Sequence, residues 1–159
     1  MTIHARLGTT IEGNLSVTGV LTKSSGSFLI DDPLDPKNKN LQHSCVESPE
    51  MRNVYYGQAA TANGRVEITL PEWWQALNGK DKSEYNYQMT PIGKFCNLYV
   101  ASEIENNKFS VGSSGGDCKF SWTVSAIRHD AFAESNRIPV VTDKPADKKG
   151  TCLNVEACK

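Results

Sequence analysis

Apolar and polar residues alternate along several short segments of the chain, and this period of two predicts β-strands with one buried face. The segments are residues 66–70, 85–89, 97–101, 108–111 and 119–127. The last segment is the strongest, because its apolar residues all fall on one face; they are Phe120, Trp122, Val124 and Ala126. The chain is therefore predicted to be mostly β.

Turn-forming residues stand between these segments at intervals of about ten residues, a spacing typical of antiparallel sandwiches. Ala-Asn-Gly-Arg at residues 62–65 precedes the first segment, and Glu-Asn-Asn at residues 105–107 separates the two strands of a predicted hairpin. Ser-Ser-Gly-Gly-Asp at residues 113–117 turns the chain into the last segment. We therefore expect an antiparallel β-sandwich-like head.

One short helix interrupts the strand pattern, and the residues at its two ends predict where it begins and stops. Pro71 suits the first turn of a helix, and Asn78 followed by glycine ends the run. Helical spacing places Trp73 and Leu77 on one apolar face. Trp74 is then predicted to point about 100° away, towards a second surface.

The same alternation runs through residues 11–21, well before the head. A lone strand cannot bury such an apolar stripe, and its backbone edges would stay unpaired. Three copies wound around one axis would solve both problems, and glycines on the inward face would permit close approach. The residues predicted to form this trimeric contact are Ile11, Leu15, Val17 and Leu21. The alternative is that the segment forms an edge strand of the head itself.

The chain is predicted to have three parts. They are an N-terminal fibre shaft or trimerisation segment at residues 1–27, a β-rich head at residues 28–141 and a polar C-terminal tail at residues 142–159. The total of 159 residues suits one ordinary domain with an appendage. An apolar fraction of 38% is enough for a folded core and too high for a disordered chain.

Charge and hydropathy argue against two classes of partner. The formal net charge is −1, so no overall field attracts the protein to nucleic acid or to an anionic membrane. No stretch approaches the ~20 apolar residues that cross a bilayer, and residues 1–7 lack the apolar part of a signal peptide. We therefore expect no membrane insertion. This N-terminal sequence would be consistent with a virion component that is released by lysis, or with a piece of a larger secreted fibre.

The five cysteines show no spacing typical of a zinc site. They are Cys45, Cys96, Cys118, Cys152 and Cys158. Cys152 and Cys158 are close enough in sequence to close a small disulfide loop in an oxidising environment. The odd total leaves at least one thiol unpaired or paired between chains. No metal and no cofactor is expected.

Candidate catalytic groups are present, but none has the pattern of a known kind of active site. His129 and Asp130 could join a serine in a triad, yet no Gly-x-Ser-x-Gly elbow precedes a helix. Paired carboxylates such as Glu103 and Glu105 lack an opposing acid or base across a cleft. The protein is therefore predicted not to be an enzyme.

Two further groups of residues have a structural and a functional interpretation. The aspartates at residues 31–35 could bind calcium, but the flanking prolines and the missing EF-hand spacing favour a rigid turn. Trp74, Tyr55 and Tyr56 are predicted to bind a ligand, since flat rings suit stacking on the CH faces of sugars. The alternative is that most of these rings belong to the core.

Several strings of the sequence resemble the C-terminal part of phage tail-fibre and bacterial trimeric fibre-like proteins. They lie at residues 13–21, 27–36, 43–51, 70–78, 88–93 and 136–139. The most distinctive stretch runs from Pro-Leu-Asp-Pro at residues 33–36 to Glu-Ser-Pro-Glu at residues 47–50. The resemblance spans residues 13–140. Asp32 departs from it, because members of the family carry histidine there.

This resemblance implies a triple-stranded β shaft, of the triple β-helix kind, that carries a trimeric head at the end of a fibre. The function it implies is a non-enzymatic homotrimeric tip of a virion tail fibre, or of an extracellular fibre, that attaches to a host-surface glycan or protein receptor. Other virion or fibre proteins would be its further partners. The alternatives are a structural protein that caps a shaft or decorates a virion, and a fragment of a secreted carbohydrate-active enzyme.

Overall fold

The computed structural model describes residues 9–23, 26–153, 155 and 158. Backbone contacts divide the chain into two units, with the division between Glu47 and Ser48. The predicted division lay earlier, between residues 27 and 28. The difference arises because the strand that begins at Ser27 pairs within the first unit. Residues 1–8 and 24–25 of the predicted shaft segment lie outside the described residues.

The described part of the first unit contains one antiparallel hairpin, formed by β1 (Ser27–Asp31) and β2 (Asn40–Ser44). Aspartates hold the loop between the two strands. The Asp32 carboxylate accepts a hydrogen bond from the Leu34 N–H at 2.9 Å, and the Asp35 carboxylate accepts one from an asparagine side chain at 2.8 Å. These local bonds are the kind that stabilise turns.

Residues 9–23 carry the apolar side chains that were predicted to form a trimeric shaft. In the single chain this segment contains no strand and belongs to no sheet. Its apolar side chains are about half exposed or more, with exposed fractions of 46% to 63% for Ile11, Leu15, Val17 and Leu21. A shaft strand would pair only with other chains, so its formation stays a prediction.

The second unit contains the β-rich head, which has six strands among the described residues. They are β3 (Arg52–Ala60), β4 (Arg65–Thr69), β5 (Asn86–Ile92), β6 (Asn97–Glu105), β7 (Lys108–Ser114) and β8 (Lys119–Ile127). The strands form two antiparallel sheets in the orders β3–β8–β5 and β4–β7–β6. The predicted mostly-β antiparallel fold is confirmed.

One hydrophobic core joins the inner faces of the two sheets, as in a β-sandwich. Its buried residues are Ile68, Leu70, Trp74, Tyr85, Ile104, Phe109, Val111, Phe120, Val124 and Ala126. Phe109 of β7 packs edge-on against Trp122 of β8, with ring centroids 5.6 Å apart. The alternation that predicted β8 therefore corresponds to its position over this core.

The hairpin of β6 and β7 turns at Asn106 and Asn107, whose φ values are 51° and 59°. Two positive φ values in succession suit a tight hairpin turn, and asparagine tolerates them better than most residues. Asn107 also holds the hairpin to the helical region. Its side-chain oxygen accepts from the Gln75 N–H at 2.9 Å, and its amide donates to the Glu72 carbonyl at 2.8 Å.

The predicted helix forms, but its start and the orientation of its tryptophans differ from the prediction. Helix α1 spans Trp74–Asn78 and ends at Gly79, whose φ of 70° favours glycine. Trp74 is fully buried and Trp73 is 56% exposed, so the predicted orientations were wrong. Trp73 has helical dihedral angles, and its carbonyl accepts a hydrogen bond from the Leu77 N–H at 2.9 Å, so the two rings do point about 100° apart. The predicted face was wrong because the side of the helix that meets the core carries Trp74 and Asn78.

A second helix, α2 (Ala131–Ser135), was not predicted. Its N-cap is Asp130, whose carboxylate accepts a hydrogen bond from the Ala133 N–H at 3.3 Å. Arg128 fixes the same carboxylate with two bonds of 2.8 and 2.9 Å. The capping aspartate was the sequence signal that could have indicated this helix.

Two disulfides are present among the described residues. Cys152 and Cys158 close a small loop in the tail, with their Cα atoms 6.0 Å apart. Cys96 and Cys118 form the other disulfide, with their Cα atoms 6.4 Å apart, and this pair was not predicted. It joins the loop before β6 to the loop before β8, two loops that only the strand pairing brings together. Cys45 is exposed and forms no disulfide.

Candidate functional site

The outer face of the β3–β8–β5 sheet gathers polar side chains from three strands. Side chains of a strand alternate between the two faces of a sheet, so every second residue of these strands points away from the core. The register aligns these residues in three rows, which are Val54–Ser125–Asn86, Tyr56–Thr123–Gln88 and Gln58–Ser121–Thr90. We name this surface of nine residues the polar sheet face.

The polar sheet face carries hydroxyl and carboxamide groups and no charge. All of its residues except Val54 offer such a group, and each group can donate or accept a hydrogen bond. Within the described part of the chain only Asn86 uses its side chain in this way, in a long bond of 3.5 Å to the Glu84 carbonyl. The other groups are available to water or to a ligand.

Tyr56 lies in the middle row and is 80% exposed. The neighbouring Tyr55 points to the opposite side of β3, where its ring lies 6.4 Å from that of Trp74, centroid to centroid. Trp74 is fully buried. Of the three rings predicted to bind a ligand, only Tyr56 therefore lies on the surface. Alternation along the strand explains Tyr55, and Trp74 lies on the side of α1 that packs against the core.

Part of the polar sheet face forms a shallow depression of about 220 Å³. Its lining residues are Val54, Asn86, Gln88, Thr123 and Ser125. This volume is smaller than that of most enclosed small-molecule sites. The shape suits a ligand that lies across the sheet.

The core fixes the position of the polar sheet face from below. The Trp122 side chain crosses under β3 at Gly57, where a Cβ atom would come within 2.7 Å of the indole ring. Tyr87 of β5 accepts a hydrogen bond from the Ile104 N–H at 2.9 Å and so ties this sheet to the other. Sites built on such packed strands hold their geometry better than sites on loops.

The outer face of the β4–β7–β6 sheet has a different chemistry, because charged side chains lie among its neutral ones. Lys108 forms an ion pair with Glu67 at 2.8 Å, and Glu105 lies opposite Lys108 in the strand register. Arg65 lies on the same sheet, opposite Gly112. The two outer faces of the sandwich therefore offer different surfaces to a partner.

A charged cluster surrounds His129, between β8 and α2. The ring Nε2 lies 2.5 Å from a Glu84 oxygen, and Nδ1 lies 2.6 Å from a Glu134 oxygen. The hydrogen bond with Glu84, supported by that with Glu134, raises the pKa of His129. Arg137 donates to Glu134 at 2.6 Å and lowers the pKa of that carboxyl. The cluster holds α2 to the 3-10 turn Lys82–Glu84.

This cluster does not have the geometry of a catalytic triad. Asp130, the aspartate weighed as a triad partner of His129, bonds to Arg128. Within the described ranges no serine or cysteine bonds to the His129 ring, and no group of three or more acidic, histidine or cysteine side chains is placed to hold a metal ion. The ion pairs around His129 are those of a structural network.

A larger cavity of about 470 Å³ lies in the tail. Its lining residues are Thr142, Asp143, Lys144, Pro145, Lys148, Thr151, Cys152 and Leu153. The described tail contains a single 3-10 turn, Ala146–Lys148, and contributes no residue to the core. The packed strands under the polar sheet face make that face the stronger candidate. Residues 154, 156, 157 and 159 of the predicted tail lie outside the described residues.

Comparison with protein-family models, curated proteins and solved structures found no match to this chain. No helix of the described residues is long and apolar enough to span a membrane. The candidate site therefore depends on the geometry of the polar sheet face. The sequence pointed to one of its residues, Tyr56. Gln58, Gln88 and Thr123 were missed because the pairing of β3 and β5 with β8 joins residues that are far apart in sequence.

Proposed function

We propose that this protein is the non-enzymatic tip of a fibre and attaches to a host or target cell surface as a homotrimer. The observation that carries the proposal is the polar sheet face, which offers hydroxyl and amide groups around the exposed ring of Tyr56, all of them except that of Asn86 without a side-chain bond among the described residues. Such groups suit reversible binding. The resemblance of residues 13–140 to the ends of tail fibres supports a place on a virion or an extracellular fibre.

A trimer would make weak single sites effective. Three polar sheet faces on one tip, and several tips on one particle, would engage a repetitive surface together. The exposed apolar side chains of residues 9–23 support this arrangement, because they would be covered in a three-chain shaft.

The proposal is tested with the full-length protein, labelled and incubated with candidate host cells, followed by chemical analysis of the surface glycans. We expect saturable adsorption, competition with the parent particle and no released sugar. Release of oligosaccharides, lost when one carboxylate is replaced, would instead make the protein an enzyme. The absence of adsorption to every host of the particle would contradict attachment.

A structural role as a cap or decoration protein is the second candidate. It is favoured by the exposed apolar residues near the end of the head, Ile138, Val140 and Val141, whose exposed fractions are 60%, 71% and 86%. A further virion protein could cover them. Deletion of this protein from the parent particle distinguishes the two functions. Particles that assemble normally but no longer adsorb to cells indicate an attachment role, whereas a failure of particle assembly indicates a structural role.

A further inference from the structure

We infer that the polar sheet face binds a neutral glycan, in preference to an anionic glycan or a protein. The inference rests on the proposed attachment function and names the ligand class of that site. It follows from the charge, the hydrogen-bonding groups and the dimensions of the face.

The charge of the face argues against an anionic ligand. No residue of the three rows carries a charge, and the charged residues of these strands lie beyond them. Lys119 lies at one end, and Arg52 at the other end is paired with Glu50 at 3.6 Å and donates to the Glu84 carbonyl at 3.2 Å. A carboxylate or sulfate placed over Thr123 would lose water without gaining a cation, which is unfavourable.

The hydrogen-bonding groups of the face match those of a neutral sugar. Hydroxyls and carboxamides both donate and accept, as sugar hydroxyls do, so either direction of bonding is satisfied. Tyr56 adds a flat ring in the middle row, 80% exposed and flanked by Thr123 across the sheet. Such a ring provides apolar contact area together with a polar hydroxyl.

The dimensions and polarity of the face favour a glycan over a protein. Rows two residues apart are separated by about 6.6–6.8 Å, so three rows extend about 13 Å along the strands, and three strands extend about 10 Å across them. Protein interfaces of useful affinity are larger and have an apolar centre. The centre here is Thr123, between Tyr56 and Gln88.

The test combines a glycan array with charge substitutions at the centre of the face. The array holds neutral, sialylated and uronate-containing oligosaccharides, and the full-length protein is applied at about 50 and 500 mM NaCl, which span strong and weak screening. For the best neutral oligosaccharide we expect less than about a twofold change in Kd between the two salt concentrations. Tyr56→Ala should weaken binding about tenfold or more.

Substitutions at Thr123 distinguish a neutral from an anionic ligand by the sign of their effects. For a neutral glycan, Thr123→Glu and Thr123→Lys should both weaken binding, because each places a hydrated charge under the ligand. For an anionic glycan, Thr123→Lys should strengthen binding and Thr123→Glu should weaken it. Thr69→Glu, on the outer face of the other sheet, is the matched control and should leave Kd unchanged. All variants are first shown to keep the melting temperature and the oligomeric state of the wild type.

Three outcomes would overturn the inference. The first is selective binding of anionic oligosaccharides with opposite effects of the two Thr123 substitutions. The second is cell adsorption that protease treatment of the cells abolishes. The third is adsorption that Tyr56→Ala and both Thr123 variants leave unchanged. In all three cases attachment itself stands, whereas the absence of any adsorption to cells contradicts the proposed function.

Discussion

At the scale of single residues, two adjacent tryptophans show how local backbone geometry decides what a side chain does. Trp74 packs in the core against Tyr85, with ring centroids 4.8 Å apart, while Trp73 stays largely exposed. Hydrophobicity alone cannot distinguish the two, because both residues are the same. Both residues belong to the same helical turn, and the core lies on the side of Trp74 and Asn78.

The first prediction compares the two tryptophans. Trp74→Ala should lower the free energy of unfolding by about 3–5 kcal/mol, because it leaves a cavity in the core. Trp73→Ala should change it by less than about 0.5 kcal/mol, as for most exposed sites. Urea denaturation of both variants measures the difference. An equal loss in both would contradict the assignment of Trp74 to the core.

His129 is the second residue whose surroundings have a testable consequence. Both of its ring nitrogens face carboxylate oxygens, and a neutral imidazole has only one N–H to donate. Both hydrogen bonds therefore require the protonated ring. The neighbouring Arg137 lies 3.2 Å from Nδ1 and could donate to that nitrogen once the ring loses its proton. Asp81 adds a further negative charge near the ring.

The second prediction concerns the pH dependence of stability. Because the pKa of His129 is raised in the folded state, its contribution is complete below the ordinary histidine pKa of about 6.5 and is lost as the pH rises through the raised pKa. We expect the free energy of unfolding to fall over that window. His129→Gln, which cannot titrate, should remove this part of the slope. Urea denaturation across the window measures both proteins, and a wild type as flat as the variant would contradict the prediction.

At the scale of elements, alternation predicted the strands of the head whose apolar residues follow it most strictly. β8 was predicted with the bounds that the structure has, because each inward residue is apolar. β3 was missed, since the adjacent tyrosines at 55 and 56 interrupt the pattern. The polar sheet face could not be predicted, because periodicity reports which residues share a strand face and not which strands become neighbours. The Cys96–Cys118 disulfide was missed for the same reason.

The third prediction tests how the β6–β7 hairpin is held to α1. Asn107→Gly keeps the positive φ but removes the side-chain bonds to Gln75 and Glu72, so it should cost about 1–2 kcal/mol of the free energy of unfolding. Asn106→Gly is the matched control in the same turn and should change stability by less than about 0.5 kcal/mol. Thermal and urea denaturation provide the comparison. If Asn106→Gly lowers the free energy of unfolding as much as Asn107→Gly does, the loss arises from the turn backbone and not from the side-chain bonds of Asn107.

At the scale of the whole molecule, the exposed apolar side chains of residues 9–23 raise the question of what covers them. A soluble chain rarely leaves such a stripe open to water. The described segment belongs to no sheet of the single chain, so its backbone groups are available to pair with other copies. Three identical segments would cover one another's apolar side chains and satisfy those groups together.

The fourth prediction is that the full-length protein is a trimer in which this stripe faces the axis. Sedimentation at micromolar concentration should give three chains for the wild type. The double variant Leu15→Asp with Val17→Asp should dissociate to monomers at the same concentration, because six carboxylates would then meet in an apolar contact. Ser16→Asp with Thr18→Asp adds the same charge on the alternate positions and should stay trimeric. A monomeric wild type, or dissociation by both double variants alike, would contradict the period-two contact. Since three linked sites bind a surface far more tightly than one, the dissociated variant should also lose adsorption to cells while keeping its affinity for a soluble ligand.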